Sequence, residues 1–101
     1  MARRIIWSFR AQADRKSIFE YWNDRNKSNR YSNNLNVLLI SAVEFVSRHP
    51  HTGRKTDRNQ IRIKFVGNYA IVYEAKSEVL EVLAIFDTRQ NPDNLKKILD
   101  S

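Results

Sequence analysis

The sequence predicts an α+β domain in which an antiparallel helical hairpin packs on one face of a small, mostly antiparallel sheet. Two observations carry this prediction. Between residues 9 and 48, apolar side chains recur at the three- and four-residue spacing of amphipathic helices. Between residues 61 and 86, the pattern changes to alternating or continuous apolar residues separated by short polar turns, which is typical of successive strands. With a short apolar segment at the start, the predicted order is β-α-α-β-β-β, with an optional helix at the end.

The first half of the chain predicts one strand and two helices. Residues 3–7 are mostly apolar and β-branched, which favours a strand. Ser8 can then cap a helix over residues 9–24, because its side-chain oxygen can accept a hydrogen bond from the first turn. A polar break at 23–29 precedes a second predicted helix over 30–48, whose apolar residues keep the i, i+3, i+4 spacing. A short connection between two amphipathic helices predicts an antiparallel hairpin.

The second half predicts three strands joined by turns. Residues 61–66 alternate between apolar and polar side chains, as a strand with one buried face does. Gly67 and Asn68 suit a hairpin turn, because glycine adopts positive φ at little cost. Residues 69–74 are rich in aromatic and β-branched side chains and form the predicted return strand. The almost continuous apolar run at 79–86 is expected for a strand buried on both faces in the interior of the sheet.

The composition is that of a single globular domain over residues 1–101. No apolar run approaches the ~20 residues that span a bilayer, so we expect a cytoplasmic protein without membrane contact. The chain has no cysteine, which excludes disulfides and thiolate metal sites. His49 and His51 have no metal-ligand spacing with other residues, so we expect no metal and no cofactor. Residues 92–99 are compatible with a short final helix.

The formal net charge of +7 favours a polyanionic partner, which is RNA, DNA or an acidic protein. The predicted loop over 51–59 and the strand after it carry a run of cations, Arg54, Lys55, Arg58, Arg62 and Lys64. Arg62 and Lys64 are two residues apart, so their side chains share one face of the strand, opposite its isoleucines. If the helices cover the isoleucine face, the two cations lie on the open face. There they form either a phosphate-binding surface or an ordinary solvated face.

Three further side chains are candidates for a site on or just after the strands. Arg89 follows the most apolar strand, where it can clamp a phosphate beside the other cations or pair with Asp87. Tyr69 and Tyr73 share one strand face, and each can stack on a base or pack in the core. We favour the phosphate clamp for Arg89 and packing in the core for the two tyrosines.

Several short segments, in their order and spacing, resemble the RelE/ParE superfamily of bacterial type II toxins. They are a Trp-Ser start, the turn HPHTGR, the hairpin segment GNYAIVYE and the run VLAIFDTRQNPDNL. The resemblance spans nearly the whole chain. It implies a small α+β toxin, encoded on a plasmid or chromosome, that inhibits growth until a tight-binding antitoxin with an acidic, wrapping tail neutralises it.

The resemblance implies one of two targets. RelE-like members cleave mRNA in the ribosomal A site without a metal, and ParE-like members poison DNA gyrase. Arg62 and Lys64 fall where RelE-like enzymes have two basic strand residues, and Arg89 falls where they have a basic residue after the last strand. Lys64 is favoured as the proton acceptor, because lysine loses a proton far more easily than arginine, and Arg89 would hold the scissile phosphate. The predicted binding residues are Arg54, Lys55, Arg58 and Tyr69.

Two positions depart from the pattern of the nucleases. After the Gly-x-Tyr turn these enzymes carry an arginine, and this chain has Ala70. Leu95 lies in the neighbourhood of their carboxy-terminal tyrosine or histidine. Because three cations are predicted on one surface, we expect RelE-like mRNA cleavage. Gyrase inhibition, or a degenerate member that binds an antitoxin without toxicity, remains the alternative.

Overall fold

The computed structural model describes residues 2–58 and 60–89, so the helix predicted over 92–99 lies outside the described residues. The elements are β1 (Arg4–Trp7), α1 (Phe9–Asn26), α2 (Arg30–Arg48), a 3₁₀ turn (Pro50–Thr52), β2 (Arg54–Lys55), β3 (Ile61–Val66), β4 (Tyr69–Ala75) and β5 (Val79–Asp87). The predicted α+β class and the order of its elements are confirmed. One element was missed, because β2 lies in the segment that the sequence predicted as a loop.

The five strands form one mixed sheet in the order β1-β5-β4-β3-β2. β1 pairs with β5 in parallel, and the other three pairs are antiparallel. β5 therefore has a neighbour on each side, as its apolar run predicted. β2 adds only two residues to the edge of β3, and a segment that short carries no periodicity from which a strand can be predicted.

The helical hairpin covers the face of the sheet to which Tyr69, Ile71 and Tyr73 of β4 point. Side chains of α2 supply most of the helical part of this core, and Ala11 of α1 is fully buried with them. The helical contributors from α2 are Leu35, Leu39, Val43 and Val46. A second apolar cluster lies on the opposite face of the sheet and includes Ile63, Ala70, Val72 and Ala84.

The prediction for the two faces of β3 is wrong. Ile63 belongs to the cluster on the face away from the helices. Arg62 and Lys64 lie opposite Tyr73 and Ile71, which pack against the helices, so both cations are on the helix-covered face. β3 lies near the edge of the sheet, where long basic side chains can reach solvent past the rim of the helical layer.

A β-bulge at Leu83 interrupts the pairing of β4 with β5. Val72 pairs with Ala84, whereas the next residue of β4, Tyr73, pairs with Val82. Leu83 is therefore left without a partner on β4, which is what an extra residue in one strand of a pair produces. Both faces of β5 remain apolar across this irregularity, because Leu83 packs against the second cluster and Val82 against the first.

Neither helix among the described residues is long and apolar enough to cross a membrane.

Candidate functional site

Arg62 holds the turn that follows α2. Its Nη1 donates hydrogen bonds to the carbonyl oxygens of His51 at 3.2 Å and Gly53 at 2.9 Å, and its Nη2 lies 3.4 Å from Nδ1 of His51. The Tyr73 hydroxyl donates to the Pro50 carbonyl at 2.7 Å and accepts from the Gly53 amide at 3.1 Å. We call these two side chains and the turn at 50–53 the clasp. Arg62 therefore has a structural task in the clasp, whatever else it does.

Burial changes the pKa of Tyr73, the second side chain of the clasp. Tyr73 is fully buried, and this burial raises the pKa of its hydroxyl, although the hydrogen bond from Gly53 and the nearby charge of Arg62 oppose the shift. The hydroxyl therefore stays protonated at neutral pH and remains available as a donor to Pro50.

Lys64 lies beside α2 and not on an open face. Its ammonium nitrogen is 5.2 Å from the centroid of the Phe45 ring, within the range of a cation–π interaction. The side chain is only partly exposed, and its cross-strand neighbour is the fully buried Ile71. Lys64 thus covers the rim of the core with its alkyl stem while its charge reaches solvent.

Arg89 forms an ion pair with Asp87 just after β5. The guanidinium donates to both carboxylate oxygens, from Nε at 3.2 Å and from Nη2 at 3.1 Å, and the Arg89 amide donates to the same carboxylate at 2.9 Å. Burial raises the pKa of Asp87, but the hydrogen bonds and charge of Arg89 outweigh it and hold the pKa below its usual value. The sequence left Arg89 either to clamp a phosphate or to pair with Asp87, and the structure shows the pair with Asp87.

Tyr69 packs in the core and is not presented for stacking. Its hydroxyl accepts a hydrogen bond from Nε1 of Trp22 at 2.6 Å, and only 4% of the residue is exposed. Burial raises the pKa of this hydroxyl. Trp22 also contacts Tyr21 and Tyr31, with ring centroids 5.0 and 4.6 Å away. Sequence reasoning identified Trp22 only as an apolar helix position, although a buried indole N–H needs an acceptor.

The three predicted catalytic cations do not converge. Arg62 is paired in register with Tyr73, whereas Asp87, the partner of Arg89, is paired with Tyr69. These two rows are four residues apart along β4, which corresponds to ~13 Å. Arg62 and Arg89 therefore mark opposite ends of the sheet, and Lys64 lies between them. The catalytic role of all three remains a prediction.

The remaining predicted binding residues lie around the clasp. Arg54 and Lys55 form the exposed edge strand β2, and Arg58 is exposed in the turn after it. Lys55, Arg58 and Arg62 line a cleft of about 170 Å³. A second cleft of about 330 Å³ is also lined by Arg62, and Arg3 and His51 contribute to its walls. The end of the sheet at the clasp is therefore strongly basic.

Residues 2–58 and 60–89 contain no group of three His, Cys, Asp or Glu side chains that could hold a metal ion.

Comparison with known proteins defines the class of the fold and then the family. A solved structure described as the chromosomal ParDE TA system from P. aeruginosa matches with a TM-score of 0.73 and 13% sequence identity, covering 85% of this chain and 96% of that chain. This likeness assigns the fold to the one found in that toxin–antitoxin system. A search of curated proteins finds no match. The model of the family described as ParE toxin of type II toxin-antitoxin system, parDE, matches residues 5–92. The chain therefore belongs to the ParE toxin family, within the RelE/ParE superfamily that the sequence resembles.

Proposed function

We propose that this protein is a growth-inhibiting toxin that acts by binding and inhibiting DNA gyrase and has no catalytic chemistry of its own. The proposal rests first on the family match, which covers 88 of the 101 residues, from 5 to 92. A ParE family assignment favours gyrase over the ribosome as the target. A gyrase inhibitor of this kind would act in the cytoplasm.

The observation that carries the proposal is the separate engagement of the three predicted cations. Arg62 is bonded to backbone carbonyls of the clasp, Lys64 lies against an aromatic ring of α2, and Arg89 is paired with Asp87. An RNase that uses a ribose hydroxyl must bring a proton acceptor and phosphate-binding cations to one phosphate, because catalysis depends on their joint positioning. Three cations that are held by separate partners, on backbone rows up to ~13 Å apart along the sheet, do not meet that requirement. A binding inhibitor needs no such convergence.

A second observation weakens mRNA cleavage as the function. Ala70, which replaces the arginine expected from RelE-like nucleases, is fully buried and lies between Phe65 of β3 and Phe86 of β5. Removing a donor that stabilises transition-state charge costs about 2.7–4 kcal/mol in a well-studied protease. The loss of such a cation would leave an RNase severely impaired. The mRNA cleavage that we expected from the sequence is therefore the weaker alternative.

The partner that follows from membership in a toxin–antitoxin family is a cognate antitoxin. We propose that its toxin-binding tail is acidic, because the net charge of +7 gives an acidic segment a long-range attraction as well as local contacts. Lower ionic strength should accelerate association, since exposed charges are less screened.

Induction of the chain in bacteria without its antitoxin separates the candidate functions. We expect growth arrest with double-strand breaks in DNA and an SOS response, while ribosome-bound transcripts stay uncut in primer-extension maps. Transcripts cut at A-site codons, with intact chromosomes, would replace the proposal with mRNA cleavage. Normal growth at full expression would indicate a degenerate member.

A further inference from the structure

Two arginines near the clasp carry charges that are fixed in position and have no carboxylate partner among the described residues. Arg3 donates from Nε to the carbonyl oxygen of Lys76 at 2.6 Å, and Arg62 donates to the carbonyls of His51 and Gly53. Arg89, by contrast, is neutralised by a carboxylate. Backbone carbonyls hold a guanidinium in place without cancelling its formal charge, so these two groups are preorganised to receive an anion.

Both arginines line the same cleft. The cleft of about 330 Å³ has walls from Arg3, His51, Arg62 and Lys76. Arg62 also lines the cleft of about 170 Å³, to which Lys55 and Arg58 contribute. Lys76 is the one member of this set that forms an ion pair among the described residues, with Glu81 at 3.6 Å. The two clefts are neighbours that share Gln60 and Arg62 in their walls, and we call the basic surface that they form together the clasp track.

The lining of the clasp track favours a nucleic-acid backbone over a peptide. Protein interfaces are anchored by aromatic or large apolar side chains in buried pockets, and the large exposed apolar residues on the helices, such as Phe9, Val37 and Leu38, are not among the residues that line the track. Phosphate contacts need only cations and polar groups. None of the described residues that line the track is a phenylalanine, tyrosine or tryptophan on which a base could stack, so contact with the backbone suits the track better than sequence readout.

We propose that the clasp track binds the phosphodiester backbone of duplex DNA without sequence preference. The inference rests on the proposed function for its setting, because a gyrase inhibitor meets the DNA duplex that the enzyme holds. Arg3 and Arg62 contact phosphates in the larger cleft, and Arg58 and Lys55 contact the next phosphates along the strand. Binding then depends steeply on salt, since each contact releases condensed counterions.

The test measures fluorescence anisotropy of a labelled mixed-sequence duplex of about 20 base pairs, long enough to span a small basic track, titrated with the purified full chain at several salt concentrations. Because Arg62 holds the clasp, the test variants are Arg3→Gln and Arg58→Gln. The matched control is Arg25→Gln, which removes an equal charge at the exposed end of α1, near Trp22 and away from the clasp. We expect each test variant to weaken binding about fivefold and to reduce the salt slope by about 0.9, with less than a twofold change for the control.

Three results would overturn the proposal. The first is no binding of the duplex at low salt. The second is a loss of affinity for Arg25→Gln equal to that of the test variants, which would indicate attraction by diffuse charge. The third is displacement of the duplex by poly-glutamate at a lower concentration than by unlabelled duplex, which would indicate a site for carboxylates. The readout is independent of gyrase. A chain that binds DNA as described but leaves gyrase active would refute only the proposed function. A chain that inhibits gyrase while Arg3→Gln binds DNA normally would refute only the clasp track.

Discussion

The carboxylate of Asp14 on α1 accepts a hydrogen bond from the backbone amide of Ile85 on β5, at 3.0 Å. At the bulge residue itself, the Ser8 hydroxyl donates to the carbonyl oxygen of Leu83 at 2.9 Å. Ser8 also caps α1 by accepting from the amide of Ala11. Ser8, the N-cap of α1, and Asp14, in the second turn of α1, therefore bind backbone groups of β5 beyond Val82, where the pairing with β1 ends. These contacts fix α1 against the sheet at that point.

Replacing Asp14 should destabilise the fold more than its partial exposure suggests. Asp14→Ala removes the acceptor of a partly buried amide, which typically costs about 1–3 kcal/mol of unfolding free energy. Asp14→Asn keeps an oxygen acceptor and should recover much of the loss, although it gives up the 3.6 Å ion pair with Arg10. Denaturant titration measures the unfolding free energy of both variants. The control is Asp24→Ala, at an exposed position of the same helix, which should lower the unfolding free energy by less than about 0.5 kcal/mol. Equal losses at the two aspartates would contradict the stabilising role of the hydrogen bond between Asp14 and Ile85.

The clasp leaves no room for a side chain at Gly53. A Cβ at this position would lie 2.3 Å from the Tyr73 hydroxyl oxygen and 2.9 Å from its ring. Gly53→Ala should therefore cost about 1–3 kcal/mol, as overpacking does. The second mutation in Gly53→Ala/Tyr73→Phe removes the closest contact, so the double variant should lose less than the sum of the single variants. Additive losses in a double-mutant cycle would show that the two residues are not coupled.

Stability should fall at alkaline pH because Tyr69 and Tyr73 are buried. Burial raises the pKa of both hydroxyls above 10.0, the ordinary value. A pKa that is higher in the folded state stabilises the protein fully below the unfolded value, and this contribution is lost as the pH rises through the folded pKa. The unfolding free energy should therefore decline from about pH 10 upward. Denaturant titrations at several pH values should show a shallower decline for Tyr69→Phe than for the wild type. Tyr21→Phe, at an exposed tyrosine, is the control and should leave the decline unchanged. If Tyr69→Phe and the wild type gave identical pH profiles, the buried Tyr69 would not be a cause of the alkaline loss of stability.

The pair of Asp87 and Arg89 should stabilise the fold except in acid. The pKa of Asp87 lies below its ordinary value of 3.8, so its contribution is present above that pH and is lost as the pH falls through the lower folded pKa. Arg89→Gln removes the guanidinium, whose hydrogen bonds and charge lower the pKa, and it leaves the Arg89 amide hydrogen bond and the burial that raises the pKa. The carboxyl titration of Asp87 by NMR should therefore move to higher pH in this variant, and it should not move in Lys16→Gln, whose partner is Glu20. An unchanged titration in Arg89→Gln would show that the pair is not formed in solution.

Periodicity predicted most of the fold but could not assign the faces of β3. The alternation of basic and isoleucine residues shows which side chains share a face, and it does not show which face the helices cover. The structure puts Ile63 in the second cluster and Lys64 beside Phe45, because each face of this sheet carries apolar side chains. The contact between Trp22 and Tyr69 joins residues 47 positions apart, and no local pattern encodes such a pairing.

The candidate site was only partly predictable for a related reason. Sequence reasoning recognised the cations of the basic loop, and it did not include Arg3 or Lys76, which lie far from that loop in the chain and line the same cleft. The parallel pairing of β1 with β5 brings the amino terminus to this end of the sheet. Arg62 was identified by its charge, and its hydrogen bonds to the turn at 50–53 depend on the fold of the whole clasp.

Supercoiling of relaxed plasmid by purified gyrase, measured across a titration of this protein, tests the central claim most directly. The account predicts a dose-dependent loss of supercoiling that a stoichiometric amount of the cognate antitoxin restores. Lys64→Gln should retain the inhibition, because that lysine packs against α2 and performs no chemistry in this account. Full supercoiling at a large molar excess of the wild-type protein would contradict the assignment of gyrase as its target.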